Sequence, residues 1–120
     1  MSNEAEAITI RFADDFEANL YALAKRYRSI RNDVQPVIEQ IQAGNFIGDR
    51  IPGMGEDYII LKVRVKNSNI QKGKSAGYRM IYQVESPSIV LLLTIYSKSD
   101  RTDISLNEIR SIIAEFDENE

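Results

Sequence analysis

The sequence predicts an α+β domain, a small antiparallel sheet with an N-terminal helical hairpin and a C-terminal helix, in the order β-α-α-β-β-β-α. Three observations carry this. Residues 58–66 alternate between apolar and cationic side chains, as a strand with one buried face does. Two further strand-like runs, 78–85 and 89–96, are separated only by Ser86-Pro87-Ser88, a turn sequence. Apolar residues within 16–41 and 106–116 recur at helical spacing. At 120 residues, 43% hydrophobic and 28% charged, the chain reads as one domain spanning 1–120, with no internal repeat.

In chain order, Ile8, Ile10 and Phe12 alternate against Thr9 and Arg11, which predicts a first strand over 7–12. The period changes at Asp14. Phe16, Leu20, Leu23 and Tyr27 form the stripe of an amphipathic helix that opens at Asp14 or Asp15. Asn32 or Asp33 can cap a second helix, with Pro36 in its first turn, Val34, Val37, Ile38 and Ile41 as its stripe, and Gly44 as its stop. Four of the six glycines fall within 44–57, which therefore reads as a loop. Its Gly53-Met-Gly55 lacks the third glycine of a dinucleotide loop and precedes a strand, so it is discarded as one.

The strand over 58–66 puts Ile59, Leu61, Val63 and Val65 on one face and Lys62, Arg64 and Lys66 on the other. A row of cations about 7 Å apart matches the phosphate spacing of a nucleic-acid strand; its plainer reading is an edge strand guarded against aggregation. Residues 67–77 read as a mobile polar connection carrying Lys72 and Lys74. Gly73-Lys74-Ser75 resembles the end of a phosphate-binding loop, but Ser68 stands where that pattern requires glycine, and a strand follows. Its two lysines remain candidates for phosphate contact. Over 78–85, Tyr78, Met80, Tyr82 and Val84 share one face, and Arg79, Ile81 and Gln83 the other. Residues 89–96 are almost wholly apolar, as in a strand buried on both faces. Ser105 and Glu108 fit a capping box that opens a last helix with the stripe Leu106, Ile109, Ile112, Ile113 and Phe116.

Charge is segregated along the chain. Residues 1–57 carry six Lys/Arg against ten Asp/Glu, residues 58–101 eight against two, and residues 102–120 one against six. A net charge of −3 thus conceals a positive block in the sheet-forming part, which points to an anionic partner. With no cysteine and no histidine, thiolate metal sites, disulfides and imidazole acid–base catalysis are excluded. The acidic start has no basic region before an apolar run, and the longest apolar run, 89–93, is too short to span a membrane. The expected location is cytoplasmic, with no membrane partner.

Three stretches together, 58–64 (Tyr-Ile-Ile-Leu-Lys-Val-Arg), 75–84 (Ser-Ala-Gly-Tyr-Arg-Met-Ile-Tyr-Gln-Val) and Tyr96-Ser97-Lys98, resemble the RelE/ParE superfamily of bacterial toxins, and within it the HigB-like branch. The resemblance covers about 40 residues in motif and most of the chain in element order. It implies the toxin of a type II toxin–antitoxin pair, a ribosome-dependent endoribonuclease that cuts mRNA without metal or organic cofactor. It also implies a cognate antitoxin as partner, beside ribosome and mRNA. Lys62, Arg64, Arg79, Tyr96 and Lys98 are carried over as catalytic, with Lys66, Lys72, Lys74 and Arg101 as RNA contacts. The arginine and tyrosine that studied RelE proteins have after the Lys98 position are here Ser99 and Ser105, which shifts their burden to Arg101, Lys98 and Tyr96.

A histidine-free site can cleave RNA because the 2′-hydroxyl is already tethered beside its phosphate. Arg79 suits a bidentate clamp, Arg64 adds charge, and Lys62 is the expected base if neighbouring cations free its amine. At about 7 Å and an effective dielectric near 20, two such charges repel by roughly 2 kcal/mol before screening. The bland alternatives are that Arg79 pairs with Glu85 or a helix carboxylate, that Tyr96 is an interface or core aromatic, and that Lys98 and Arg101 solubilise a turn. The rival functions are a ParE-like inhibitor of DNA gyrase and a degenerate member that only binds antitoxin or RNA.

Overall fold

A computed structural model of the chain describes residues 7–70 and 76–119. Its elements are β1 (Thr9–Phe12), α1 (Asp14–Arg26), α2 (Ile30–Gln42), β2 (Asp49–Arg50), β3 (Ile59–Val65), β4 (Tyr78–Ser86), β5 (Ile89–Ser97) and α3 (Leu106–Glu118). The sheet order is β1-β5-β4-β3-β2. Strands β3 to β5 form the expected antiparallel meander, β2 extends it antiparallel to β3, and β1 adds to β5 in parallel. Side-chain alternation carries no information on strand direction, so the parallel edge was not readable from it. The two-residue β2, inside the expected loop, is too short to show alternation at all.

Two apolar layers sandwich the sheet. On one face Leu61, Val63, Val65, Tyr78, Met80 and Tyr82 pack with Phe16, Leu23, Ile30, Val34 and Ile41 of the helical hairpin. On the other, Ile60, Ile81, Leu91 and Leu93 pack with Ile109 and Ile113 of α3. The faces read from β3 and β4 are those observed, and β5 is buried on both sides. Ile109 is fully buried, so its truncation to alanine should cost about 2–5 kcal/mol.

Local signals fared unequally. Ser105 caps α3 in a complete capping box with Glu108. Gly44 ends α2 at φ +94°, the left-handed conformation that glycine adopts without strain. The start of α2 differs from expectation. The helix opens at Ile30, not after Asn32 or Asp33, so Pro36 is its seventh residue and lies beyond the first turn. The backbone turns early, through Ile30 N–H to the Tyr27 carbonyl, and Asp33 is used elsewhere. Its carboxylate accepts from the backbone N–H and hydroxyl of Ser68, at 2.9 and 3.0 Å, while Ser29 N–H donates to Asn69 at 3.0 Å. Ser68 and Asn69 are thereby tied to the head of α2. At Gly77 a Cβ would collide with the Val65 carbonyl, so only glycine lets β4 begin this close to the end of β3. That approach sets the position of Arg79.

Candidate functional site

Pairing across the meander places Arg64 of β3 opposite Arg79 of β4, and Arg79 opposite Tyr96 of β5. The next row holds Lys62, Ile81 and Thr94. Both rows lie on the sheet face that α3 covers farther along, where Ile60, Ile81 and Tyr96 join one apolar cluster. Thus Lys62, Arg64, Arg79 and Tyr96 are brought together on one face by strand register alone.

In the first row the β3 member, Arg64, is exposed and the other two, Arg79 at only 5% exposure and Tyr96, are buried. The Arg79 guanidinium donates from Nη1 to the Tyr78 carbonyl at 3.2 Å. Burial, then the neighbouring Arg64, pull its pKa down, and Tyr96 acts weakly the other way. Like charges directly opposite across strands destabilise a sheet. The Glu85 carboxylate, the partner expected for Arg79 in the bland reading, is bound by Arg11 at 3.5 Å. Burial pushes the Tyr96 phenol up, aided by Asp103, and its hydroxyl is enclosed with no hydrogen-bond partner among the described residues. An enclosed hydroxyl without a partner is costly, and the Tyr78 hydroxyl is in the same position, while the Tyr96 ring packs in the apolar cluster under α3.

The turn between β5 and α3 folds back over these rows and brings carboxylates with it. Lys62 Nζ donates to Asp103 Oδ1 at 3.3 Å. Asp103 also accepts the Ile104 N–H at 2.8 Å, and that bond, ahead of Lys62, holds its carboxyl below the usual carboxylate range. Arg101 grips Glu108 through both terminal nitrogens, at 3.1 and 2.6 Å, and donates from Nε to the Asp103 carbonyl at 2.9 Å. Its guanidinium carbon sits 5.3 Å from the Tyr96 ring centroid, a cation–π contact. Lys98 Nζ donates to the Thr102 carbonyl at 3.3 Å. Arg101 and Lys98 are thus fixed in the turn, facing their own chain.

The remaining candidates are dispersed. Lys66 is exposed one residue beyond β3. Lys72 and Lys74 lie outside the described residues. The depression of about 490 Å³ beside the site is lined by Asn19, Thr94, Tyr96, Arg101, Asn107 and Glu108 among others, and not by Lys62, Arg64 or Arg79. The cation row therefore forms an open face bordering a cleft. Sequence reading missed Asp103, Glu108 as a partner of Arg101, and Asn19, whose amide donates to Thr94 at 2.9 Å. The signal for the first was present as an aspartate five residues after Lys98, within a segment counted only as an acidic block.

Neither a family model nor a curated protein sequence matches the chain. Among solved structures, it is similar to the free-state structure of an arginine-to-alanine double mutant of the E. coli toxin RelE. That match covers 92% of this chain and 97% of the other, with a TM-score of 0.54 and 16% sequence identity. The five-stranded sheet between a helical hairpin and a C-terminal helix is the RelE toxin fold.

Proposed function

We propose that this protein is the toxin of a type II toxin–antitoxin pair and acts as a ribosome-dependent, metal-independent mRNA endoribonuclease. The observation that carries the reading is the facing pair Arg64 and Arg79, continued by Tyr96, on a RelE-like fold. Arg64 and Arg79 face each other across β3 and β4, and a phosphodiester bound between them would accept charge-assisted hydrogen bonds from both guanidinium groups. In the reaction the 2′-oxygen bonds to phosphorus as the P–O5′ bond breaks, leaving a 2′,3′-cyclic phosphate and a 5′-hydroxyl. The 2′-proton goes to a base and a proton is delivered to the departing 5′-oxygen. Arg64 and Arg79 offset the charge of the crowded phosphorane.

The ion pair with Asp103 supports a different part for Lys62 from the proton acceptor expected above. An ammonium held by a carboxylate supplies fixed positive charge. Lys98 and Arg101 support the turn that frames the row, and act on RNA only once they leave Thr102 and Glu108. A cognate antitoxin carrying acidic residues would cover the same face.

The test is induced expression with mapping of mRNA 5′ ends, beside the Arg79→Ala variant. The reading expects arrest of protein synthesis and cuts in ribosome-bound message, both reduced by orders of magnitude in the variant. If Arg79→Ala unfolds the domain, its role is structural; if DNA damage responses precede translation arrest, the gyrase reading replaces this one. The engagement of Lys62 and Arg101 by the chain's own carboxylates favours the third reading, a non-catalytic member, which expects no cuts and no growth arrest.

A further inference from the structure

A second cationic surface lies on the helical hairpin, in the part of the chain whose overall charge is negative. Tyr21, Lys25 and Arg28 are spaced four and three residues apart, on one face of α1 and the turn after it, and Arg31 follows in the first turn of α2. Together with Ala24 they line one shallow depression of about 330 Å³. No carboxylate lines it. Among the described residues, Lys25, Arg28 and Arg31 form no salt bridge, whereas the adjacent Arg26 is bound by Asp100 at 2.8 Å. Tyr21 is 63% exposed, the most exposed large apolar side chain among the described residues, and Lys25 Nζ lies over one face of its ring, 4.8 Å from the centroid.

A plain solubilising role accounts for part of this. Cations in the last turn of α1 complement the helix dipole. That argument does not reach Tyr21, which sits mid-helix and contributes to neither apolar layer. An exposed ring bordered by cations that form no salt bridge becomes a stacking platform with phosphate contacts on its rim once Lys25 passes from the ring to a phosphate. An acidic peptide suits the surface less well. The patch presents no strand edge for β-addition, and Tyr21 and Ala24 alone make no apolar groove for a helix.

We propose that the hairpin surface formed by Tyr21, Lys25, Arg28 and Arg31 docks a single-stranded segment of RNA, with a base stacked on Tyr21 and phosphates on the three cations. The surface belongs to the helical layer opposite the Arg64–Arg79 face, so the strand it holds is not the one lying across that row. The inference does not depend on the row cleaving RNA.

The test is fluorescence anisotropy with a labelled oligouridine of about 12 nucleotides, between about 50 and 200 mM salt. Wild type is compared with Tyr21→Ala, the triple variant Lys25→Ala/Arg28→Ala/Arg31→Ala, and Arg64→Ala. All four hairpin residues are exposed, so melting curves should be unchanged. Tyr21→Ala should weaken binding roughly 5- to 100-fold, as loss of one stacked base does. The triple variant should make the log–log salt slope shallower by about 2. Full binding by both hairpin variants, with loss confined to Arg64→Ala, would overturn the proposal. It also fails if the triple variant weakens binding while Tyr21→Ala does not, or if polyglutamate of matched charge competes as well as RNA. Mapping of mRNA cuts is unaffected by these outcomes, so this proposal and the ribonuclease reading fail separately.

Discussion

Replacing Asp103 with asparagine separates the protein's own carboxylate from the substrate phosphate as the partner of Lys62. The present partner is 3.3 Å away, with Lys62 32% and Asp103 67% exposed by side chain. An ion pair this exposed contributes about 0.2–1 kcal/mol, so the variant should remain folded, with a change in unfolding free energy under about 1 kcal/mol. Asparagine keeps the side-chain oxygen that accepts the Ile104 N–H, so the turn should keep its shape. The effect on RNA is larger. A negative charge about 7 Å from a bound phosphate opposes it by roughly 2 kcal/mol at an effective dielectric near 20, and screening at 0.1 M salt leaves about half. Removing it should tighten binding of a short oligoribonucleotide about fivefold at about 0.1 M salt, and more at lower salt. The freed Lys62 should also steepen the salt slope by about 0.7, one further phosphate contact on a single strand. Unchanged affinity together with an unchanged slope would refute the claim that Lys62 and Asp103 sit on the anion-binding face. A variant that unfolds would instead show Asp103 to be structural.

Three further outcomes follow from the same geometry. Tyr96→Phe removes an enclosed hydroxyl that has no partner among the described residues, so stability in urea should hold or rise by up to about 1 kcal/mol; a loss of similar size would mean the hydroxyl has a partner after all. If that hydroxyl reaches the substrate, the same variant lowers cleavage while stability does not fall. Ser105→Ala removes the hydroxyl arm of the capping box, keeps the backbone N–H arm to Glu108, and should cost about 1 kcal/mol, measured by chemical denaturation. Acid should also destabilise the turn. Asp103 is held below its ordinary range chiefly by the Ile104 N–H, and Glu108 chiefly by Arg101. Folded pKa values below unfolded ones mean that their stabilisation is full above the ordinary carboxylate range and is lost as pH falls through the lowered values. Replacing Glu108 with glutamine should flatten stability against pH in that window, as followed by thermal melts from neutral pH downward.

Much of the fold was legible because its signals are local. The faces of β3 and β4 follow from alternation, α3 from Ser105, Glu108 and an unbroken stripe, and the end of α2 from Gly44. What escaped depends on contacts distant in sequence. Asp33 looks like a helix cap until Ser68, 35 residues away, is seen to use it. Lys62 looks like one cation among three until Asp103, 41 residues on, is found against it. Arg64 and Arg79 could be placed on matching faces from the sequence, but their facing each other depends on register, which alternation alone leaves open by steps of two residues. Tyr21 was passed over because it lies off the apolar stripe of its own helix, and Lys25, Arg28 and Arg31 because segment charge was averaged over 57 residues.

The Arg64–Arg79 pair bears most directly on the proposed function, because it sets two like charges opposite each other across the sheet. A sheet gains from opposite charges or apolar pairs at facing positions, and two guanidinium groups there offer neither. Desolvation adds to the cost at Arg79, which burial and Arg64 both push toward the neutral form. A solubilising role needs no buried arginine, and a guard against edge pairing needs none on β4, an interior strand flanked by β3 and β5. Such an arrangement is retained at a stability cost when a bound anion offsets it. The turn's carboxylates soften the field from outside, at Lys62 and Arg101, and leave the exposed Arg64 at the open end of the row. Substituting Arg64 by Gln should therefore stabilise the free domain slightly while weakening its hold on phosphate. A thermal melt and an RNA titration of the same sample would show these opposite changes, and a variant that loses on both counts would mean the pair is structural.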